Sequence, residues 1–354
     1  MQSRLQRLRE TLSSANVDAF VVTDILNVRY ISGFTGSTAT LLVDSNSIKI
    51  LTDSRYMEQL AQECPSATII QVQRNWTKRA AELITDAKYL RVGLEYSIPY
   101  RDWESLNLLS VETELVPMES PINQLRWKKD DVEILAIRHA ARITDMAFKH
   151  VLTVLRPDIT ERDVAVEIEC FMRRSGAESE AFDTIVAAGP RSAMPHARST
   201  NRRIGTGSLA VMDFGARHDG YHADITRTVL IGTPSEEQQR VYNTVLNAQR
   251  TAMEAIRPGV SGGAIDSLAR EYIEKSGYGA YFGHGLGHGL GLDVHDGAIL
   301  AKDSRIILEA GMVVTVEPGI YIPGWGGVRI EDDVLVTENG YEILTHSDKS
   351  LAVR

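Results

Sequence analysis

Residues 208–231 read SLAVMDFGARHDGYHADITRTVLI, two apolar strand-like runs around a His218-Asp219-Gly220 turn. Alternating apolar residues on either side of a glycine-containing reversal predict a β-hairpin. This hairpin constrains whatever is built on it. With the turn centred between residues 218 and 219, Asp213 and Asp224 face each other; centred on Asp219-Gly220, they are diagonal neighbours. Side-chain direction along a strand has period two, so both registers leave the two acids on one face, within roughly 5–8 Å. Like charges so placed weaken a sheet unless something positive lies between them, and a divalent cation shared by carboxylates meets that need. The hairpin alone also allows a plainer arrangement, with one aspartate in solvent or paired with Arg227.

A second pair of acids follows in VVTVEPGIYIPGWGGVRIEDDVLV, where Glu317 and Glu331 flank the turn-forming PGWGG at 323–327. Their separation is even, which permits a common face. Val328 and Ile330 are expected toward the core, with Arg329, Glu331 and Asp333 pointing the other way, a pattern that a solvated charged face would also give. Glu317 interrupts the apolar run MVVTVEPGIYI. It is therefore expected to be at least partly buried, and an unpaired buried charge is costly.

The segment YFGHGLGHGLGLDVHDG places His284, His288 and His295 among glycines that let backbone approach closely. Three histidines in so short a stretch point to a site rather than to isolated structural rings. No G-x-G-x-x-G register and no Gly-Lys follow, so a phosphate cradle is a poor fit, and no H-E-x-x-H occurs. His196 follows a proline in the turn-rich SAMPHARST. Gly259-Val260-Ser261-Gly262-Gly263 fits G-x-S-x-G, but a nucleophile elbow needs a strand before the serine. A helix ends at Arg257-Pro258-Gly259 instead, so Ser261 is expected to cap the helix that follows.

With 354 residues the chain is long enough for about two domains. The 38 Lys+Arg against 47 Asp+Glu give a net charge of −9, which argues against nucleic acid as the main partner while leaving room for a local basic cleft. A hydrophobic share of 43% and a charged share of 24% exclude a disordered chain. No apolar run reaches the ~18 residues of a membrane span. Two cysteines, Cys64 and Cys170, are too few for a disulfide framework, and a reducing cytoplasm is the expected location. Leu5, Leu8 and Leu12 predict an amphipathic first helix. The runs DAFVVT, ATLLVDS, SIKILT, ATIIQV and LRVGLE, alternating with helical stretches, predict an α/β domain over 1–125. Residues 115–130, with Pro117, Pro121 and a charge cluster, read as a linker into a long helix whose stripe is Ile143, Met146, Ala147, Val151 and Val154. Thr160 with Asp163 predicts a capping box, and Thr233, Pro234 and Glu236 predict another helix start. Residues 204–231 and 305–346 are β-rich, which makes 126–354 an α+β domain.

Taken in order, the motifs MDFGA, ADITRT, GHGLGHGLGLDVHD, VEPGIY and GVRIEDD resemble the five-ligand site of the pita-bread-fold metallopeptidases. That group includes Xaa-Pro dipeptidases (prolidases), aminopeptidase P, methionine aminopeptidases and the metal-free creatinases. VRYISGFTGS and LTDSRY look like the creatinase/prolidase N-terminal domain. The resemblance implies an α+β pita-bread (creatinase/aminopeptidase) catalytic domain preceded by a smaller α/β domain. It implies that Asp213 chelates one metal, Asp224 and Glu331 bridge two, and His288 with Glu317 completes the second, Glu317 also serving as general base. His196 and His295 would bind substrate and stabilise the tetrahedral intermediate, and His284 would line the pocket for the residue before proline. Arg329 and Arg198, beside site motifs, are candidates to receive a substrate carboxylate.

Two divalent ions per subunit would balance four carboxylates, and a single imidazole among them suits Mn²⁺ or Co²⁺ at least as well as Zn²⁺. The filled ligand set disfavours a creatinase, and the N-terminal domain disfavours a methionine aminopeptidase. Short proline-containing peptides are thus the expected substrates, with a dipeptidase preferred to an aminopeptidase P and a non-catalytic binding protein as the remote alternative. The motif Val294-His295-Asp296 also occurs in aminopeptidase P, whereas the short chain is typical of small prolidase-like proteins. A homodimer is implied by the family.

Overall fold

The helical stripe at the start of the chain folds as its spacing predicts: α1 (Gln2–Ser14) buries Leu8 and Leu12. The computed structural model describes residues 2–73 and 75–353, and the chain divides into two compact units, Met1–Arg126 and Trp127–Arg354. In the first, the five apolar runs become β1 (Ala19–Val22), β2 (Thr40–Asp44), β3 (Ile48–Thr52), β4 (Thr68–Gln71) and β5 (Arg91–Glu95). Between them lie α2 (Ile25–Ser32), α3 (Met57–Glu63) and α4 (Trp76–Asp86), and α5 (Tyr100–Leu109) follows β5. A sixth strand, β6 (Glu114–Met118), completes a sheet of order β4-β3-β2-β1-β5-β6.

The expected linker at 115–130 is thus replaced in part by β6 and by α6 (Pro121–Trp127). Pro117 is compatible with a strand because β6 lies at the sheet edge, opposite Leu94, where a missing N–H costs no ladder bond. Pro121 occupies the first helical position, where the N–H has no intrahelical partner in any case.

The second unit opens with α7 (Asp131–Val154), started by a capping box between Asp130 and Glu133. Ile143, Ala147 and Val151 are buried along it, while Met146, at the margin of that stripe, is 36% exposed. Thr160 and Asp163 form the expected capping box of α8 (Glu161–Arg174). Strands β7 (Ser179–Glu180), β8 (Ile185–Ala188), β9 (Leu209–Phe214), β10 (Ala216–His218), β11 (Tyr221–His222) and β12 (Ile225–Ile231) follow. The next helix, α9 (Glu236–Met253), is capped by Ser235 rather than by Thr233. The reciprocal bonds of Ser235 and Gln238 satisfy two otherwise unpaired groups, which outweighs the preference of Pro234 for the first turn. After α10 (Gly262–Lys275) come β13 (Gly287–His288), β14 (Ile299–Leu300), β15 (Val313–Val316), β16 (Gly319–Ile322), β17 (Gly326–Arg329), β18 (Asp332–Thr337), β19 (Gly340–Ile343) and β20 (Ala352–Val353).

Two helix pairs sandwich these strands. Helices α7 and α8 pack with Met212, Phe214 and Val229, whereas α9 and α10 pack with Leu209, Leu230, Val314 and Val334. Val229 and Leu230 are adjacent in β12 and so face opposite layers. The strands are therefore apolar on both sides. Any charged side chain on them must be held by specific partners. No helix among the described residues is long and apolar enough to cross a membrane.

Candidate metal centre

The first hairpin turns at Asp219-Gly220, both with positive φ (49° and 79°), pairing His218 with Tyr221 and Arg217 with His222. The same register sets Asp213 opposite Thr226, which makes Asp224 its diagonal neighbour on one face. Gly215 is required here, because a Cβ would lie 1.7 Å from the Ala223 carbonyl oxygen. In the second hairpin Val316 pairs with Asp332 and Gly319 with Arg329, so one register places Glu317 opposite Glu331 in the gap between the two ladders. The ladder breaks there because both backbones turn elsewhere. The Glu317 N–H donates to the Leu286 carbonyl (2.8 Å) and the Glu331 N–H to that of Thr226 (3.0 Å). The alternative of a solvated charged face is overturned: Arg329, Glu331 and Asp333 are 3%, 2% and 0% exposed.

His288 is delivered by β13, where Gly287 lies so close to β15 that a Cβ would sit 2.0 Å from the Thr315 carbonyl oxygen. Its Nδ1–H donates to the Gly289 carbonyl (3.1 Å), which leaves the Nε2 lone pair facing Asp224 Oδ2 (3.7 Å) and Glu317 Oε1 (3.6 Å). Donor atoms of Asp224, His288 and Glu331 all lie within 4.8 Å of one another. Arg329 neutralises Asp213, its NH2 group 2.5 Å from Oδ2, and it also donates to Thr226 Oγ1 and Tyr321 Oη. Thr226 in turn donates to Glu331 Oε2 (2.6 Å).

Buried carboxyls this close resist ionisation. Burial, then the charge of Glu331 and of Asp213, holds Asp224 well above the usual carboxylate range. Burial followed by Glu317 and Asp213 does the same for Glu331, and burial pushes Glu317 up to about 8. Burial also lowers His288 to about 4, so its ring is a neutral donor. Asp213 Oδ1, Asp224 Oδ1 and Glu331 Oε1 are buried with no hydrogen-bond partner among the described residues. Unpaired buried oxygens beside a free imidazole nitrogen are what a carboxylate-rich divalent site looks like before its cation is counted. The donor set fits such an ion.

The centre opens into a cavity of about 730 Å³ whose wall includes His196, His284, His295 and Arg329 as well as the five candidate ligands. His295 packs edge-on against His288, with ring centroids 4.3 Å apart. Arg198 is not on that wall. His284 is held by a directed chain: Arg329 donates to Tyr321 Oη, the Tyr321 hydroxyl donates to His284 Nε2 (3.0 Å), and His284 Nδ1–H donates to the Gly285 carbonyl (2.7 Å). Burial lowers its pKa to about 4. Tyr321 and Thr226 escaped sequence reasoning, although each lies an even number of residues from a candidate ligand on the same strand path.

Ser261 caps α10, its Oγ accepting the Ala264 N–H (3.2 Å), and it is not on the cavity wall. Ser261→Ala should therefore cost about 1 kcal/mol of stability in urea unfolding and leave the cavity and its donors intact.

Residues 136–338 match metallopeptidase family M24, and residues 4–127 match the creatinase/prolidase N-terminal domain. A Xaa-Pro dipeptidase from Pyrococcus furiosus is 37% identical over 99% of this chain and 100% of its own length. The structure of a Xaa-Pro dipeptidase from Bacillus anthracis superposes with a TM-score of 0.96 at 40% identity, covering 100% of this chain and 99% of that one. An X-Pro aminopeptidase from Thermotoga maritima gives 0.91 at 37% identity, covering 99% and 100%. With its α+β pita-bread fold preceded by that N-terminal domain, the chain belongs to metallopeptidase family M24.

Proposed function

We propose that the chain is a Xaa-Pro dipeptidase in which Asp213, Asp224, His288, Glu317 and Glu331 would hold two divalent cations, Asp224 and Glu331 contributing to both. The observation that carries this reading is the convergence of three unpartnered buried carboxylate oxygens with a free imidazole nitrogen at one cavity wall. The dipeptidase names of the Pyrococcus furiosus and Bacillus anthracis proteins support the substrate class. Oxygen donors with a single nitrogen favour Mn²⁺ or Co²⁺ over Zn²⁺. Two such cations, when bound, would supply an acidified water near neutral pH and polarise the scissile carbonyl.

The protein's own groups do the rest. Glu317, on the cavity wall with Oε1 near His288, takes the proton of the attacking water and returns it to the leaving proline nitrogen. His295 and His196 face the same space and donate to the substrate carbonyl as it gains charge. His284 has both ring nitrogens engaged, so it serves as a fixed neutral wall beside the residue before proline rather than as a proton carrier. Arg329 neutralises Asp213 and lines the cavity, where its guanidinium would receive the terminal carboxylate of a dipeptide. Free Cys64 and Cys170 suit a reducing cytoplasm.

The decisive assay compares a dipeptide Xaa-Pro with a tripeptide Xaa-Pro-Yaa, each with Mn²⁺, Co²⁺ and Zn²⁺. Release of proline from the dipeptide, abolished by chelator and restored best by Mn²⁺ or Co²⁺, is the expected result. Faster cleavage of the tripeptide would reassign the chain to the aminopeptidase class. Chelator-insensitive turnover would remove the metal from the reading altogether.

A further inference from the structure

Behind the two acid hairpins lies a buried ionic knot that the chemistry above does not use. Arg227 of β12 is 1% exposed, and its NH1 group donates to the carbonyls of Thr226 (3.0 Å) and Glu331. Its NH2 group donates to Asp332 Oδ1 (2.7 Å). Directions alternate along β18, so Asp332 points away from the cavity that Glu331 faces. Asp332 also accepts from Thr345 Oγ1 (3.1 Å), Gln249 Nε2 (2.9 Å) and Lys349 Nζ (2.5 Å). The Ser347 carbonyl accepts from Arg227 Nε (3.2 Å) and NH2 (2.9 Å). Segment 345–349 thereby closes the knot from the C-terminal side. Asp145 of α7 tethers it, accepting from the His346 N–H (2.8 Å), the Ser347 N–H (2.8 Å) and Ser347 Oγ (2.5 Å).

The position of this knot matters for the metal centre. Asp224 and Glu331 belong to different hairpins, and β12 and β18 are not neighbours in one sheet. Close to the donors the two hairpins are joined by the Glu331 N–H to the Thr226 carbonyl, the Asp224 N–H to Asp333 Oδ2 (3.0 Å), and Thr226 Oγ1 to Glu331 Oε2. Metal–ligand distances in well-formed sites fall within about 0.2 Å of their preferred values, so the spacing of the donors matters for affinity. Arg227 grips the backbone of both hairpins beside their donors, and Asp332 with Lys349 and Ser347 fixes Arg227.

We infer that segment 345–349, acting through Arg227 and Asp332, is a positioning strap that sets the spacing of Asp224 and Glu331 and with it the affinity for the cation they share. The inference rests on the metal-binding reading above. Lys349→Met and Asp145→Ala both alter the strap without touching a candidate ligand or the cavity wall. Metal-free protein would be titrated with Mn²⁺ against a competing chromophoric chelator, and its unfolding in urea measured separately. Each variant should bind Mn²⁺ roughly tenfold more weakly, at the lower end of what loss of an outer partner costs. Activity should recover at saturating Mn²⁺, and Lys349→Arg should restore affinity. Wild-type affinity with merely lowered urea stability would overturn the strap and leave the metal centre standing. Failure of the wild-type protein to bind Mn²⁺ would overturn both. If Asp145→Ala does not fold, the Lys349 pair decides alone.

Discussion

Asp224→Asn should leave a folded protein whose kcat/KM on a Xaa-Pro dipeptide is lower by on the order of 10³-fold or more, beyond the ~10–100-fold that loss of an outer-shell partner costs. Asp224 contributes one of the unpaired buried oxygens and a donor within reach of both His288 and Glu331. An amide there withdraws a negative charge from the shared position and turns N–H groups toward it. The backbone anchor, from the Asp224 N–H to Asp333, does not depend on the side chain, so the hairpin survives. The metal-free variant should even be no less stable than metal-free wild type, because one member of a mutually repelling buried cluster has become neutral. Metal content per chain, urea unfolding and steady-state kinetics with excess Mn²⁺ read the three parts separately. Full activity in a metal-replete assay would refute the assignment of Asp224.

Stripping the metal should make stability fall as pH rises, the reverse of ordinary acid denaturation. Asp224, Glu331 and Glu317 have folded pKa values raised by burial and by one another, Glu317 from 4.5 to about 8. A carboxyl of this kind binds more protons folded than unfolded. Its contribution is whole below the unfolded value and is lost as pH climbs through the folded one. His284 and His288, lowered from 6.5 to about 4, act in the opposite sense, and their contribution grows between those values and is complete above 6.5. The two effects oppose each other in mildly acidic buffer. From about pH 6.5 to about 8.5 the carboxyls dominate, and chelated protein should lose a few kcal/mol across that window. Saturation with Mn²⁺ should flatten the curve, since a bound cation favours the ionised carboxylates. Equal pH profiles with and without metal would show that the carboxyls do not titrate as a cluster.

Much of the fold was legible because its signals are local. Five apolar runs rich in β-branched residues became β1 to β5, and Thr160-x-x-Asp163 capped α8 where expected. The departures came where two local signals competed. Pro117 argued for a linker, yet an edge strand accepts it, and Thr233-Pro234 lost the start of α9 to the reciprocal Ser235–Gln238 pair. The candidate donors were legible for a related reason. Asp213 and Asp224 share a face whether the turn centres between residues 218 and 219 or on Asp219-Gly220, and the 14-residue separation of Glu317 and Glu331 around PGWGG permits a common face, which the observed pairing realises.

Glu317, which breaks an apolar run, is partly buried as that break predicts, but elsewhere burial and partnership were not legible. Arg329, Glu331 and Asp333 form a pattern that suits a solvated strand face equally well, and only packing beneath β12 excludes water from them. Nothing near Asp213 in sequence says that its cation is Arg329, 116 residues away. The same holds for Arg227, which in sequence is an available partner for the hairpin aspartates but meets Asp332 and the carbonyl of Ser347 instead. Strand parity is a property of the backbone repeat, so the chain alone determined in what order the donors occur and which acids a two-stranded pairing can bring to one face. Desolvation and ion pairing depend on which distant segments pack together, so only the tertiary structure decided how deep those acids lie and which charges hold them.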